Sequence, residues 1–217
     1  MNPKLPAFYP VLDLGLLARH GLDPVDAAEA ILDAGACILQ FRHKGFFSRE
    51  VFETAARVAA LCRDAKALFV VNDRADMALL LDAALHLGQD DLTPQDARRV
   101  TGPGSIIGLS THNAGQLRAG DREPVDYLAI GPIFQTGSKV NPDPVVGLDA
   151  LRELRAITGK PLVAIGGITR GAAQSVFEAG ADSLAIIGDL YPQPLTKAAL
   201  RARAEEWVKI CASAEVR

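Results

Sequence analysis

Short, apolar, β-rich runs alternate with longer Ala-rich segments of helical period along the whole chain, and this alternation limits the fold more than any other feature. A strand followed by a crossover helix is the unit from which parallel sheets are built. Eight strands are predicted, over residues 8–12, 37–42, 67–72, 84–87, 105–109, 126–130, 161–165 and 183–187. Eight units in 217 residues leave about 27 residues for each, which predicts one compact (β/α)8 TIM barrel domain over residues 1–217.

An open doubly wound sheet is the competing architecture for the same alternation. No G-x-G-x-x-G sequence follows the first predicted strand, although this fingerprint marks one large class of such sheets. Polar residues follow most of the predicted strands instead of gathering at a single switch point. The barrel is therefore favoured.

Composition and charge exclude several classes of protein. Hydrophobic residues make up 49% of the chain and charged residues 23%, which is typical of a globular protein with a core. The net charge is −3 and no stretch is strongly basic, so neither a nucleic-acid nor a membrane partner is expected. No signal peptide is evident and no apolar run reaches membrane-spanning length. The sequence leaves open whether the chain forms a homo-oligomer.

The cysteines predict a reducing compartment. Cys37, Cys62 and Cys211 are odd in number and show no C-x-x-C spacing, which supports neither a disulfide framework nor a zinc site. A cytoplasmic location is expected.

The second predicted strand becomes cationic towards its carboxyl end. Alternation along a strand sends Gln40, Arg42 and Lys44 to one face and Phe41 to the other. Arginine can grip phosphate oxygens with two hydrogen bonds, and lysine adds a compact positive charge. Because chemistry in such barrels collects at the carboxyl ends of the strands, these residues predict a site for a polyanionic substrate.

Carboxylates follow the third and fourth predicted strands. Asp73 comes directly after the third strand, and Asp90 and Asp91 follow the fourth. Asp73 with either Asp90 or Asp91 could share a Mg²⁺ ion that takes its other ligands from water and a substrate phosphate. The alternative is that Asp73 caps the next helix and that Asp91 is only a turn residue.

Two later segments have the composition expected of an anion-binding site. Residues 131–139 form a long polar loop with two hydroxyls and Lys139, although a mobile surface loop would have the same composition. Gly166 and Gly167 precede a predicted helix, where the backbone can approach a phosphate closely. Asp189 after the eighth strand does not fit, because a carboxylate beside a phosphate is unfavourable unless it points away.

Six short motifs carry a resemblance to a known family. They read Q-F-R-H-K at 40–44, V-N-D-R at 71–74, H-L-G-Q-D-D at 86–91, G-L-S-T-H at 108–112, G-P-I-F-Q-T-G-S-K at 131–139 and I-G-G-I at 165–168. In this order at successive strand ends, they resemble the thiamine-phosphate synthase family from residue 8 to about residue 190.

The resemblance implies a reaction and a set of site residues. The reaction joins 4-amino-5-hydroxymethyl-2-methylpyrimidine diphosphate to 4-methyl-5-hydroxyethylthiazole phosphate, giving thiamine phosphate and pyrophosphate through a pyrimidine carbocation. Asp73 and Asp91 would hold Mg²⁺, and the catalytic residues would be Arg42, Lys44, Ser110 and Lys139. The pyrimidine diphosphate would bind to Gln40, Phe41, Arg42, His43, Lys44, Asn72, Ser110 and Lys139. The thiazole phosphate would bind to Thr136, Gly137, Ser138, Gly166, Gly167, Ile187 and Gly188.

Three departures from the family's motifs and two alternative functions limit how far the family's site can be assigned to this chain. Gly188 stands where the family commonly has serine, Asp189 adds a negative charge beside it, and Ser138 stands where threonine is frequent. A thiazole tautomerase on the same barrel would use His112 as acid or base. A catalytically silent barrel that binds thiazole phosphate is the other alternative, since a fold does not by itself imply an activity.

Overall fold

The computed structural model describes residues 5–137 and 143–215. Within these residues, eight parallel strands close into a barrel in sequence order. The strands are β1 Phe8–Asp13, β2 Ile38–Arg42, β3 Leu68–Asn72, β4 Ala84–Leu87, β5 Ile107–Thr111, β6 Tyr127–Ile130, β7 Leu162–Ile165 and β8 Ser183–Ile186. The barrel closes where Phe8 of β1 pairs with Leu184 of β8. The predicted TIM barrel is confirmed.

Helices follow the strands and surround the barrel. They are α1 Leu14–His20, α2 Pro24–Asp33, α3 Arg49–Asp64, α4 Ala75–Leu80, α5 Pro94–Thr101, α6 Ala114–Asp121, α7 Gly147–Arg155, α8 Ala173–Glu178 and α9 Lys197–Glu215. A 3-10 turn, Gly188–Leu190, follows β8. The long α9 packs against α2 and α8, so the carboxyl-terminal helix covers the place where the sheet closes.

The starts of α2 and α5 are set by side chains that precede a proline. Asp23 accepts hydrogen bonds from the backbone N–H groups of Val25 at 2.8 Å and Asp26 at 3.2 Å, and Thr93 accepts one from Asp96. A capping oxygen satisfies amides that have no partner inside the helix, and a proline after it has no amide to satisfy. The sequences Asp-Pro and Thr-Pro therefore place the starts of α2 and α5.

The fifth strand is shifted by two residues from its prediction. It was expected over residues 105–109 and runs over Ile107–Thr111. The Arg98 side chain binds the backbone oxygen of Ser105, and the Asp126 carboxylate binds the N–H of Ile107 at 2.8 Å. The Ser105 carbonyl is thus bound by a side chain instead of a neighbouring strand, and β5 extends two residues further towards the mouth of the barrel than predicted.

The core has two layers that follow the alternation of each strand. One layer lies between the strands and helices and includes Leu39 and Phe41 of β2. The other fills the barrel interior and includes Val11, Ile38 and Val163. Because side chains alternate along β2, an interior residue such as Ile38 brings its polar successors to the same side, towards the mouth of the barrel.

No helix built from the described residues combines the length and the apolar character needed to cross a bilayer. The three cysteines are free thiols, and Cys62 and Cys211 are buried whereas Cys37 is exposed. Burial raises the pKa of the Cys62 thiol to about 12, so this side chain is an unreactive part of the core.

Candidate active site

A cavity of about 950 Å³ opens at the mouth of the barrel, where the carboxyl ends of the strands meet. Most of the predicted site residues line it, and they come from nearly every strand end. The predicted residues in its wall are Gln40, Arg42, Lys44, Asn72, Asp73, Asp91, Ser110, Thr136, Gly137, Gly166, Gly167, Ile187 and Gly188. Ser138 and Lys139 lie outside the described residues.

Two predicted contact residues point away from the cavity. Phe41 is 1% exposed and packs against Phe47 and Phe69 in the layer between strands and helices. The His43 ring packs edge-on against Phe47, and its Nε2 lies 3.1 Å from the backbone oxygen of Phe46. Strand alternation turns Phe41 outward, and neither side chain lines the cavity, so substrate binding by these two residues stays a prediction from the motif.

Arg42 is held by a residue that the sequence reasoning missed. Its guanidinium forms an ion pair with Asp13, the last residue of β1, which also caps α1 by accepting from the Leu16 N–H at 2.9 Å. The first strand was expected to end one residue earlier, so Asp13 was not considered. A guanidinium has five N–H donors, and one carboxylate leaves others available to a ligand.

Asp73 turns into the cavity through an uncommon backbone conformation. Its φ is 67°, a left-handed value that costs free energy in residues other than glycine, and its N–H donates to the backbone oxygen of His86 at 2.8 Å. Asp73 does not cap the following helix, because α4 is preceded by Arg74 and has no side-chain cap. The carboxylate instead meets Lys44, whose Nζ is 2.5 Å from Asp73 Oδ2.

Asp73 and Asp91 form a pair of neighbouring carboxyls. Burial raises the pKa of Asp73, Lys44 opposes this rise, and the hydrogen bond and charge of Asp91 add to it. Asp91 is oriented by the N–H of Gly88, which lies 2.7 Å from its Oδ2. Asp90 is exposed. Asp91 is therefore the carboxyl that faces Asp73, and a cation between them would relieve their repulsion.

The donor set fits a magnesium ion. Among the described residues, no group of three or more His, Cys, Asp and Glu side chains converges as a metal cage. Magnesium is commonly bound by only one or two carboxylates together with water and substrate phosphate oxygens. Two carboxyls at the rim of a cavity that also holds cationic side chains match this mode of binding.

Asn72 presents a buried donor without a partner. Among the described residues, its Nδ2 has no hydrogen-bond acceptor, although Asn72 is only 7% exposed and lies in the cavity wall. A buried polar group left unpaired is costly, so such groups are rare unless a ligand completes them. An anionic oxygen in the cavity would supply the missing acceptor.

A chain of hydrogen bonds crosses the barrel interior at the floor of the cavity, and Tyr9 and His86 within it also line the cavity. It runs from Gln40 through Tyr9, Tyr127 and His86 to Ser110, and we call it the tyrosine–histidine chain. Each of its four contacts joins the two heavy atoms at 2.9 Å. Burial raises the pKa of Tyr9 to about 12 and lowers that of His86 to about 4, so both are neutral near pH 7.

Sequence reasoning missed both tyrosines of this chain. The predicted site residues lie at the carboxyl ends of strands, whereas Tyr9 and Tyr127 point inward near the starts of β1 and β6. A usable signal was present at Gly108, in the motif at 108–112. A Cβ built there would lie 2.0 Å from Tyr127 Cζ, so this glycine makes room for the tyrosine ring.

The two glycines after β7 serve packing between loops. Gly166 and Gly167 have φ values of 98° and 66°, and a Cβ on either would clash with the 132–135 segment. The backbone N–H of Phe134 also donates to the Gly166 oxygen at 2.9 Å. These contacts fix the segment that leads to Thr136 and Gly137, both of which line the cavity.

The charge of Asp189 is balanced from outside the site. Its Oδ2 accepts from Trp207 Nε1 at 3.1 Å and from Arg170 Nε at 3.0 Å, and Arg203 donates to its backbone oxygen. The carboxylate therefore joins the turn after β8 to α9. This contact explains why a negative charge is tolerated beside the backbone of Gly188.

His112 also lies in the cavity wall, close to the loop after β6. Its Nδ1 is 2.6 Å from the backbone oxygen of Gly131 and 3.4 Å from Asp143 Oδ2. Its backbone N–H is bound by Gln116. The side chain thus anchors the loop on which Thr136 lies.

Comparisons with known proteins agree with this architecture. The family model of thiamine monophosphate synthase matches residues 8–190. The chain belongs to this family. It is 46% identical over 213 residues to a thiamine-phosphate synthase of Koribacter versatilis, with 95% of this chain and 96% of that protein covered. It is 40% identical over 194 residues to the thiamine-phosphate synthase of Chlorobium phaeovibrioides, covering 89% and 93%.

A solved structure shows the same relationship. The thiamine phosphate pyrophosphorylase of Pyrococcus furiosus superposes with a TM-score of 0.82 at 30% identity, over 95% of this chain and 96% of that one. The family predicted from the six motifs is confirmed, and the chain is a transferase of thiamine biosynthesis.

Proposed function

We propose that the chain condenses 4-amino-5-hydroxymethyl-2-methylpyrimidine diphosphate with 4-methyl-5-hydroxyethylthiazole phosphate in a Mg²⁺-dependent reaction that yields thiamine phosphate and pyrophosphate. The observation that carries this proposal is the pair Asp73 and Asp91 beside Lys44, Arg42 and the Asn72 Nδ2, which has no partner among the described residues. Carboxylates and cations at one rim suit a diphosphate that arrives with a divalent metal ion.

Asp73 and Asp91 would hold the Mg²⁺ ion. When bound, it would supply positive charge next to the leaving diphosphate oxygens, whose negative charge grows as the carbon–oxygen bond breaks. The close approach of the two carboxyls and the raised pKa of Asp73 support this assignment.

The cationic side chains would bind the diphosphate directly. Arg42 would use the donors that Asp13 leaves available, and the Asn72 Nδ2 would donate to a phosphate oxygen. Lys44 would share its charge between Asp73 and the diphosphate. Lys139 is assigned to the same role from its motif alone.

Two further groups would orient the reacting rings. Gln40 and Ser110 would bind the pyrimidine, and both line the cavity. Thr136, Gly137, Ser138, Gly166, Gly167, Ile187 and Gly188 would receive the thiazole phosphate. The pyrimidine carbon loses pyrophosphate and forms a bond to the thiazole nitrogen, so the reaction needs no protein nucleophile. A cavity that limits water would protect the cationic carbon from hydrolysis.

The remaining assignments follow from composition and chemistry. The partners proposed are small phosphorylated substrates, with neither nucleic acid nor membrane, and a homo-oligomer is compatible with all of the above. A cytoplasmic location is supported by three free thiols, one of them exposed.

The experiment follows pyrophosphate release with both substrates, with the pyrimidine diphosphate alone, and with a chelator in place of Mg²⁺. Release that requires Mg²⁺ and rises when thiazole phosphate is added is the expected result. A thiazole tautomerase or a silent binder would release none. Neither of these alternatives uses a diphosphate, so neither explains why Asp73, Asp91 and Lys44 lie together.

A further inference from the structure

Asp13 is a buried residue that supports a cavity residue from behind. It is the last residue of β1, and its partner in the parallel register with β2 is Arg42. Alternation along β1 places Asp13 on the same inner face as Val11, which packs in the barrel interior. Arg42 lines the cavity, whereas Asp13 lies outside the described cavity wall. Any contact between Asp13 and a bound substrate would therefore run through Arg42.

Hydrogen bonds fix Asp13 from three directions. Its Oδ1 accepts from the Leu16 N–H at 2.9 Å, and its Oδ2 accepts from the Arg42 guanidinium. Its backbone N–H donates to the Tyr191 hydroxyl at 3.0 Å, and that hydroxyl donates to the Val11 backbone oxygen at 2.8 Å. Asp13 and Tyr191 are both buried, so water competes little for these bonds. The carboxylate is thus a rigid support for the guanidinium.

The negative charge of Asp13 opposes the binding of an anion by Arg42. The two side chains are 12% and 17% exposed, so solvent screens their charges only weakly. An arginine that is paired with a carboxylate attracts a diphosphate less strongly than an unpaired one. A buried ion pair is also weak evidence for stability. The pair is therefore better explained by the geometry that it gives Arg42 than by affinity or stability.

We propose that Asp13 is a positioning residue that holds the Arg42 guanidinium in the orientation from which it binds the leaving diphosphate. This inference rests on the proposed function. A free arginine side chain has many rotamers, and ordering it when a substrate binds costs free energy. Asp13 holds one nitrogen of the planar guanidinium, so the remaining N–H groups have a fixed direction. Donors that are already directed stabilise the charge that grows on the leaving oxygens without further rearrangement.

The test replaces Asp13 by asparagine, which removes the charge and keeps a cap for α1, because asparagine caps helices as well as aspartate does. When the new Oδ1 accepts from the Leu16 N–H, the Nδ2 faces Arg42, and two donors cannot bond to each other. The readouts are kcat and the KM of each substrate at saturating Mg²⁺. We expect kcat to fall by about tenfold or more, because a misplaced catalytic group loses transition-state stabilisation. The KM of thiazole phosphate should stay within about twofold of wild type, since Arg42 is assigned to the other substrate.

A double-mutant cycle with Arg42→Gln shows whether Asp13 acts through Arg42. In the Arg42→Gln background, Asp13→Asn should change kcat/KM by no more than about twofold, because the side chain that Asp13 positions is gone. A role in supporting the barrel alone would instead give the same loss in both backgrounds. A role as a charge alone would lower the KM of the diphosphate in Asp13→Asn and leave kcat unchanged.

Asp23→Asn is the matched control. Asp23 also caps a helix, since its carboxylate accepts from the Val25 N–H at 2.8 Å, and it is not one of the described residues around the cavity. Its kcat and both KM values should stay within about twofold of wild type. Asp13→Ser keeps a capping oxygen but lacks the carboxylate oxygen that binds Arg42. It gives the same test if Asp13→Asn does not fold.

The outcomes separate the inference from the proposed function. A folded Asp13→Asn or Asp13→Ser protein with the kcat of wild type would overturn the inference alone. An equal loss in the Arg42→Gln background, or in the Asp23→Asn control, would overturn it as well. A wild type that forms no thiamine phosphate from both substrates and Mg²⁺ would overturn the proposed function, and the inference with it.

Discussion

Lys44 Nζ lies 2.5 Å from Asp73 Oδ2, so the cation that follows β2 and the carboxyl that follows β3 form an ion pair between neighbouring strand ends at the mouth of the barrel. The Lys44 side chain is 56% exposed, and an ion pair this open contributes little to stability. Its importance is electrostatic and local, because it opposes the rise that burial and Asp91 cause in the pKa of Asp73. Changes at either residue should therefore affect activity more than folding.

Asp73→Asn is expected to abolish most Mg²⁺-dependent turnover while the fold is kept. Asparagine tolerates the left-handed backbone at this position and keeps the shape of the side chain. Loss of a metal ligand removes several kcal/mol of transition-state stabilisation, so kcat/KM should fall by roughly 10²- to 10³-fold. Pyrophosphate release measured against Mg²⁺ concentration checks this.

Asp90→Asn is the matched control for the metal site. Asp90 adjoins Asp91 in sequence and also lines the cavity, but it is exposed and is not among the groups that shift the pKa of Asp73. Turnover and its Mg²⁺ dependence should remain close to wild type. A loss as large as that of Asp73→Asn would move the metal assignment from Asp91 to Asp90.

Asp189→Ala should lower stability. The substitution leaves the indole N–H of Trp207 without its acceptor, and Trp207 is fully buried. An unsatisfied buried donor costs about 1–3 kcal/mol, which urea unfolding would measure. Asp149→Ala is the control, since that carboxylate is 99% exposed and, within the described part of the chain, pairs only with Arg152 on the same helix. Equal stabilities of the two variants would show that Asp189 does not hold α9 to the turn after β8.

Gly108→Ala should destabilise the protein by about 1–3 kcal/mol, because the added methyl must displace the Tyr127 ring. Gly104→Ala is the comparison in the same part of the chain. A Cβ at Gly104 meets nothing within 4 Å. The free energy of unfolding of the Gly104→Ala protein should therefore stay within about 0.5 kcal/mol of wild type. The denaturant midpoints of both variants measure these changes. A Gly108→Ala protein as stable as wild type would contradict the packing described for Tyr127.

His86 should make the protein less stable in mild acid. Burial lowers its pKa from 6.5 to about 4, so the unfolded chain takes up the proton more readily than the folded one. The neutral His86 side chain makes its full contribution to the free energy of unfolding above pH 6.5, and this contribution is lost as the pH falls towards 4. The difference between the pKa of His86 in the unfolded chain and in the folded chain corresponds to about 3 kcal/mol in the free energy of unfolding. Free energies of unfolding between pH 7 and 4.5 should decline more steeply for wild type than for His86→Gln. Parallel declines would mean that His86 does not titrate as its burial requires.

The strands were predictable because their apolar alternation is local. A parallel barrel buries each strand on both faces, and the runs at β4, β6 and β7 are buried along their whole length or nearly so. The cap of α2 was equally predictable, since Asp23 and Pro24 are adjacent in sequence. Features set by neighbours in the chain are the ones that sequence patterns describe well.

The partners of site residues were not predictable in the same way. Asp13 meets Arg42 29 residues later, and Asp189 meets Trp207 on a helix whose position depends on closure of the barrel. Tyr9 and Tyr127 are 118 residues apart and meet only because their strands face each other across the interior. These contacts depend on the three-dimensional arrangement, so only the completed fold reveals them.

The condensation itself is the most direct test of the proposed function. Wild-type protein is incubated with the pyrimidine diphosphate, the thiazole phosphate and Mg²⁺, and thiamine phosphate is identified by mass beside the pyrophosphate released. Equal amounts of the two products, absent when Mg²⁺ is removed, are the predicted result. Pyrophosphate without thiamine phosphate, or neither product from a folded protein, would contradict it.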